Sequence, residues 1–123
     1  MNMSQPTLEQ QRAQDAWGRA AGQGKDYVNA AKSLPALIMN SGLMQTLAFC
    51  QAKGKHHDLV ATHLRAWLAK RNGLAGDLGF DKFMGFLMTR PPADFQAITA
   101  EAFAWLRWLR QMAPARNVGQ AGD

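Results

Sequence analysis

Residues 34–55, LPALIMNSGLMQTLAFCQAKGK, form the most densely apolar stretch of the chain. On a helical wheel Met44 and Leu47 lie on one side and Phe49 and Cys50 on the other, so no wide polar stripe remains. A helix that is apolar nearly all round is typical of the centre of a helical core. We therefore expect this central segment to be the part of the chain around which the other helices pack.

Turn signals divide the central segment. Pro35 suits the first turn of a short helix, where its missing N–H costs nothing. Asn40-Ser41-Gly42 predicts a tight turn, with Ser41 available as the cap of the next helix, and Lys53-Gly54-Lys55 predicts the end of that helix. The central segment is thus predicted to be a helix, a tight turn and a second helix.

The residues before the central segment predict two more helices. Thr7 followed by Gln10 has the form of a capping box, which places a helix at about residues 8–21. One face of that helix is predicted to pack against the central segment: Ala13, Trp17, Ala20 and Ala21. A short second helix, capped by Asp26, is expected to be deflected at Leu34-Pro35.

Three further helices are predicted after the central segment. The first runs to about Arg71 on an apolar stripe from which Arg65 points away. The second covers residues 80–88, after a loose glycine-bearing connection, and the third runs from about residue 94 to 113. Trp108 lies furthest from the core stripe of the last helix, so it is either available to a partner or packed under the first helix.

The predicted fold class is all-α, a compact single-domain bundle of about six helices with no sheet, because no alternating strand pattern of useful length occurs. A chain of 123 residues can bury a core without a disulfide or cofactor. The predicted divisions are a disordered leader at residues 1–6, the helical domain at 7–113 and a disordered tail at 114–123.

The chain is basic, with 14 Lys and Arg against nine Asp and Glu, for a net charge of +5. The whole excess lies in residues 1–76, which favours a polyanionic partner for that part. The lone Cys50 is expected to be a small buried hydrophobe, which fits a reducing compartment. Neither a signal peptide nor a membrane-spanning stretch is recognisable, so the expected location is cytoplasmic.

The sequence offers little for catalysis, a metal or a cofactor. Glu9 and Glu101 are the only glutamates and lie at opposite ends of the chain, and the three histidines lack the i, i+4 spacing of a metal pair. A phosphate-binding loop would need Gly where Phe49 stands and Ser or Thr where His56 stands. Lys53 and Lys55 remain as charges at a turn that either meets a phosphate backbone or is simply solvated. No base-reading motif occurs, so nucleic-acid contact would be through phosphates and shape.

Motifs along nearly the whole chain resemble the small, all-helical subunit of the type III-B CRISPR effector, the Cmr complex. The most specific run is LPALI…N.GL.QTLAF…K, from Leu34 to Lys53. The other matching residues are Gln11-Arg12-Ala13, Tyr27, His63-Leu64, Trp67-Leu68, Glu101-Ala102, Trp105-Leu106 and Trp108-Leu109. The glycine-bearing segment 72–79 is the least similar part.

The resemblance implies a non-enzymatic subunit of an RNA-guided ribonucleoprotein in antiviral defence. In that family several copies stack into a filament beside the backbone subunits, near the guide RNA and its target RNA, and catalysis belongs to the backbone and large subunits. The partners implied are therefore those other Cmr subunits, the two RNAs and further copies of the chain. No membrane is implied. A free-standing basic helical adaptor that binds acidic protein or nucleic acid is the alternative.

Seven residues are predicted to lie on functional surfaces. Five basic residues are expected to face nucleic acid: Arg12, Arg19, Lys53, Lys55 and Arg65. Only Arg12 and Lys53 of these lie in motif positions that match the family. Arg107 and Trp108 are expected to contact a protein neighbour.

Overall fold

Five α-helices account for most of residues 5–119, the part of the chain that the computed structural model describes. They are α1 (Leu8–Ala20), α2 (Lys25–Lys53), α3 (Lys55–Arg71), α4 (Phe80–Met88) and α5 (Pro92–Arg116). These residues contain no β-strand, and the all-α prediction is confirmed. None of the described helices is long and apolar enough to cross a membrane.

The long helix α2 is broken at Gly42, where the backbone has φ 84° and ψ 165°. This conformation is accessible essentially only to glycine, so the side-chain-free residue is what permits the break. A kink at Gly42 alone thus takes the place of the tight turn predicted at Asn40-Ser41-Gly42. The predicted count of about six helices is close, because one of the five helices consists of two helical halves.

Pro35 lies inside the first half of α2 and does not deflect it. A proline in a helix interior costs about 3 kcal/mol, yet the flanking residues Leu34 and Ile38 are both buried on the core side. Burying a leucine or isoleucine side chain gives about 1.5–3 kcal/mol each, so the packing outweighs the local cost. The short second helix and the first helix of the central segment are thus one continuous helix.

Helix α1 starts as predicted but packs differently. Thr7 accepts a hydrogen bond from the Gln10 amide at 3.1 Å, and Gln10 accepts one from the Thr7 amide at 2.7 Å, which completes the capping box. The buried side carries Ala16 and Ala20, whereas Trp17 is 43% exposed, so its predicted place on the packed face is wrong. The helix is rotated because it packs mainly on α5 rather than on the central segment.

The core lies between α2, α3 and α5. Leu34, Leu43, Leu47 and Cys50 of the central segment are fully buried, as predicted for its central position. Burial raises the pKa of the Cys50 thiol to about 11, so this cysteine stays a neutral thiol and behaves as a small apolar side chain.

The C-terminal end of the fold extends past residue 113, where the predicted domain ends. Helix α5 continues to Arg116. Asn117 is buried and its side-chain amide donates to the carbonyl oxygens of Ala20 at 2.7 Å and Ala113 at 2.8 Å. This residue ties the last turn of α5 to the end of α1. Residues 1–4 of the predicted leader and 120–123 of the predicted tail lie outside the described residues.

Candidate nucleic-acid interface

The turn between α2 and α3 presents two lysines to solvent. Gly54 (φ 74°, ψ −168°) ends α2 and begins α3, and its amide donates to the Cys50 carbonyl at 2.9 Å. Lys55 follows with φ 51°, so the chain reverses within two residues. Lys53 and Lys55 are both exposed. The two lysines therefore lie on either side of Gly54 at the point where the chain reverses.

A cleft of about 530 Å³ opens beside this turn. Its walls come from the first half of α2 and from the turn: Asp26, Asn29, Ala30, Ser33, Lys53, Gly54, Lys55, His56 and His57. Asp26 is the one carboxylate in the wall, and its Oδ2 lies 3.9 Å from His56 Nδ1. Two lysines against one aspartate leave the cleft with a positive balance, which suits an anionic ligand.

An aromatic ring adjoins the cleft. Phe49 is 45% exposed, and Lys53 Nζ lies 5.9 Å from the centre of its ring. The ring of His57 lies 5.9 Å away at 89°, an edge-to-face arrangement. Burial, and then the charge of Lys53, lower the pKa of His57. A partly exposed phenyl ring is therefore flanked by a cation and by an imidazole.

A second basic depression lies further along α3. It has a volume of about 600 Å³, and its walls include two cations, Arg19 of α1 and Lys70 near the end of α3, against one carboxylate, Asp77. At 100° per residue Lys55, Thr62 and Lys70 share one face of α3. The fifteen-residue separation between the two lysines corresponds to about 22 Å along the helix axis. The two depressions thus follow one side of α3, and both carry cations.

Arg65 is not on this surface. The residue is 5% exposed, its Nε donates to Asp77 Oδ1 at 3.3 Å, and its Nη2 donates to Thr62 Oγ1 at 3.2 Å. The same Asp77 oxygen also accepts the Gly79 amide at 3.1 Å. The prediction that Arg65 points outward is wrong, because the glycine-bearing loop folds back and supplies a carboxylate that covers it.

Arg12 is held by two carboxylates. Its Nε and Nη2 donate to both oxygens of Glu101 at 2.8 Å, and its Nη1 donates to Glu9 at 2.9 Å. Trp67 completes the network by donating its indole N–H to Glu101 at 2.9 Å. Burial raises the pKa of Glu101, but the hydrogen bonds from Arg12 and Trp67 outweigh it and lower that pKa below its ordinary value. The guanidinium of Arg12 therefore joins α1 to α5, and little of it remains for a phosphate.

Comparison with known proteins gives the chain a family. The family model described as "CRISPR-associated protein (Cas_Cmr5)" matches residues 8–116. This chain belongs to the Cmr5 family. It is also similar to a solved crystal structure, that of a CRISPR-associated Cmr5 family protein from Thermus thermophilus, at 26% identity and a TM-score of 0.72. That match covers 90% of this chain and 97% of the other.

Membership of the Cmr5 family supports a small subunit of a type III-B CRISPR complex, as the sequence motifs implied. It also implies association with other subunits of the Cmr complex. The matched range ends at Arg116, which coincides with the end of α5. The similarity therefore extends over all five helices described above.

The two residues predicted to meet a protein neighbour differ in exposure in this Cmr5 family member. Arg107 is exposed on α5, whereas Trp108 is half-buried against the core. The exposed aromatic side chains are instead Trp17 and Phe49. The wheel of the central segment placed Phe49 opposite Leu47 but on the same side as Cys50, which is fully buried, so the exposure of Phe49 was not predicted. The exposure of Trp17 was not predicted either, because it depends on which helix α1 packs against.

The histidines of this Cmr5 family member have separate environments. His56 is exposed at the start of α3 and His57 is half-buried, whereas His63 Nδ1 shares a hydrogen bond of 2.7 Å with the Tyr27 hydroxyl. Across residues 5–119 no three His, Cys, Asp or Glu side chains converge as a metal site would require. The imidazoles of His56 and His57 are the two that line the cleft beside the α2–α3 turn.

Proposed function

We propose that this Cmr5 family member is a non-catalytic subunit of a type III-B effector, stacked in several copies along the backbone subunits, whose basic face contacts the paired guide and target RNA. The observation that carries the proposal is the exposed pair Lys53 and Lys55 at the rim of a positive cleft. These lysines lie at one end of the α3 face that carries Lys70 at the other end.

The contact residues proposed are Arg19, Lys53 and Lys55. Each is at least partly exposed and lines one of the two basic depressions. Arg12 and Arg65 are left out because Glu101 and Asp77 already hold their guanidinium groups. Lysines act as mobile point charges toward phosphates, so this surface is suited to follow an RNA backbone without reading its sequence.

The non-catalytic part of the proposal is supported by membership of the Cmr5 family and by the engagement of two part-buried titratable groups. Glu101 is tied to Arg12 and Trp67, and His63 to Tyr27. General acid or base catalysis needs such groups free and convergent in one cavity. Reaction chemistry is therefore assigned to the other subunits of the complex.

The protein contacts proposed for α5 involve Arg107 and the outer edge of Trp108. Tryptophan and arginine are the residues that most often supply binding energy at protein interfaces. Stacked copies would add weak contacts to one another, which raises the avidity of the whole filament for RNA. Membership of the Cmr5 family favours this assembly over a free-standing adaptor, which would bind its ligand usefully as a single chain.

The decisive test is charge reversal in the reconstituted complex. The double variant Lys53→Glu/Lys55→Glu is assembled with the other subunits and a guide RNA, and binding of labelled target RNA is measured. We expect affinity to fall about tenfold or more, equivalent to at least about 1.4 kcal/mol. The matched control is Lys82→Glu/Arg110→Glu, which reverses two exposed charges on α4 and α5.

The control complex should bind target within about twofold of the unmodified one. Mass analysis of both complexes verifies that the copy number of this subunit is unchanged. Unchanged target binding by the Lys53/Lys55 variant, in a complex of normal composition, would remove the proposed RNA surface. Recovery of the unmodified chain alone, without other subunits or RNA, would favour the adaptor.

A further inference from the structure

Phe49 is a large apolar side chain in a polar setting. It lies one turn before the end of α2, with Lys53 on the same helix face and His57 across the turn. Nearly half of its surface is in contact with solvent, although full burial of a phenylalanine stabilises a protein by about 1.5–3 kcal/mol. A ligand that covered the exposed part of the ring would recover some of that free energy.

The surroundings of the ring define the chemistry of that ligand. Lys53 both approaches the ring and lines the adjoining cleft, and Lys55 lies on the other side of Gly54. A ligand that reaches ring and cleft together therefore needs a flat apolar part joined to an anionic part. An unpaired nucleotide has both, in its base and its phosphate.

We propose that Phe49 is a stacking platform for an unpaired RNA base whose neighbouring phosphates lie on Lys53 and Lys55. This inference rests on the proposed function and adds to it a contact with bases, whereas the lysines alone would contact only phosphates. Stacking of a base on an aromatic side chain is tolerant of sequence, because every base has a π-face. Within the paired guide and target RNA of the proposed function, the ring would thus take up a base that is unpaired in the duplex or lies beyond its end, while the lysines contact the phosphates beside it.

An apolar protein surface is a poorer match to the same site. To cover Phe49 it would also have to remove water from the Lys53 ammonium without offering it a counter-charge, and from the polar imidazole of His57 without offering it a hydrogen bond. A phosphodiester supplies that charge. The one carboxylate of the cleft, Asp26, lies 3.9 Å from His56 Nδ1, and two lysines in the same lining, Lys53 and Lys55, outnumber it.

The experiment uses the isolated full chain at low salt, titrated with a ten-nucleotide RNA and followed by NMR, which measures even millimolar dissociation constants. Three ligands are compared: a single strand, the same strand with abasic residues, and the matched duplex. The test variant is Phe49→Leu, and Phe49→Trp is the conservative variant that should restore stacking. Trp17→Leu is the matched control, because Trp17 is also an exposed aromatic with a cation over it, Arg116, at 4.5 Å.

We expect Phe49→Leu to weaken binding of the single strand about five- to tenfold, the lower part of the range for loss of one stacked base. Phe49→Trp should bind at least as tightly as the unmodified chain. Binding of the duplex and of the abasic strand should change by less than about twofold in every Phe49 variant, since neither offers a free base at the ring. Trp17→Leu should match the unmodified chain with all three ligands.

Each other outcome overturns the stacking platform. If Lys53→Gln/Lys55→Gln weakens binding while Phe49→Leu does not, the surface contacts phosphates only, and the proposed function stands without the base contact. If neither variant changes binding, both proposals fail on this surface. If Phe49→Leu leaves RNA binding intact but lowers the copy number in the assembled complex, the ring contacts protein. Loss of binding to the duplex equal to that for the single strand also contradicts stacking.

Discussion

At the scale of single residues, an arginine in the sequence does not indicate whether its charge is free. The sequence predicts that Arg12 and Arg65 face RNA as Lys53 does, yet each arginine is held by a carboxylate. Glu101 and Asp77 lie 89 and 12 positions away along the chain, so only the packing of α1 on α5 and the fold of the loop before α4 reveal these two partners; Glu9 is the one partner close to Arg12 in sequence. The lysines beside Gly54 could be predicted as exposed because a reversing turn has few neighbours.

His63 shows how burial fixes one protonation state. The Tyr27 hydroxyl and His63 Nδ1 are hydrogen-bonded to each other, and burial raises the pKa of Tyr27, so the phenol stays protonated. Burial and then the charge of Arg19 lower the pKa of His63 to about 4. The folded chain therefore holds a neutral imidazole between about pH 4 and 6.5, a range in which the unfolded chain binds a proton there.

The free energy of unfolding should consequently decrease as the pH is lowered. A folded-state pKa below the unfolded value gives stability that is complete above about pH 6.5 and is lost as the pH falls toward about 4. After discounting for the partial exposure of the ring, we expect this histidine to lower the free energy of unfolding by about 1–2 kcal/mol over that pH range. Urea unfolding of the unmodified chain and of His63→Gln at about pH 7.5 and about pH 4.5 measures it.

The difference between the two proteins should shrink toward acid pH, because only the unmodified chain must give up the proton on folding. His56→Gln is the control for replacing a histidine at an exposed position. Parallel pH profiles for the unmodified chain and His63→Gln would contradict the assignment.

At the scale of helices, the sequence indicated where segments are helical more reliably than where they stop. Helices α3 and α4 were predicted closely, since an apolar stripe and flanking glycine or proline define them. The errors were at prolines. The sequence predicts interruptions at Pro35 and Pro114, yet both residues lie inside helices. Local propensity is a weak signal once buried neighbours hold the backbone.

The break at Gly42 yields a prediction for α2. Gly42→Ala should lower the free energy of unfolding by about 1–3 kcal/mol, because a side chain cannot easily adopt φ 84° with ψ 165°. The space itself is open, with no atom within 4 Å of an added Cβ, so the cost is one of backbone strain alone. Urea unfolding monitored by circular dichroism measures it.

Gly18→Ala is the matched control inside α1. It also has open space around the added Cβ, but its backbone is helical, so the substitution should stabilise by about 0.5–1 kcal/mol. The two substitutions should therefore shift stability in opposite directions. A Gly42→Ala protein as stable as the Gly18→Ala protein would mean that α2 can run straight through residue 42.

At the scale of the whole molecule, the charge distribution along the sequence predicted which part would be basic but not the shape of the surface. All of the excess positive charge lies in residues 1–76. In the folded chain Arg12 and Arg65 are engaged in ion pairs. The other three basic residues, Arg19, Lys53 and Lys55, line two depressions along one side of α3. Which cations share a surface depends on how α1 and α2 lie against α3, and no local pattern encodes that. The family, in contrast, could be recognised from motifs alone.

The number of phosphate contacts per chain can be counted from salt dependence. If Arg19, Lys53 and Lys55 each neutralise one phosphate of a single strand, the slope of log Kobs against log [salt] should be about −2 for the isolated chain. Lys53→Gln/Lys55→Gln should bring it to about −0.7, because one contact remains. Phe49→Leu should shift the whole line downward without altering its slope, since stacking releases no counterions. A slope near zero would show that these lysines do not contact phosphates, and so would a slope that the double variant leaves unchanged. A slope altered by Phe49→Leu would show that the ring positions the lysines and is not itself the surface on which a base stacks.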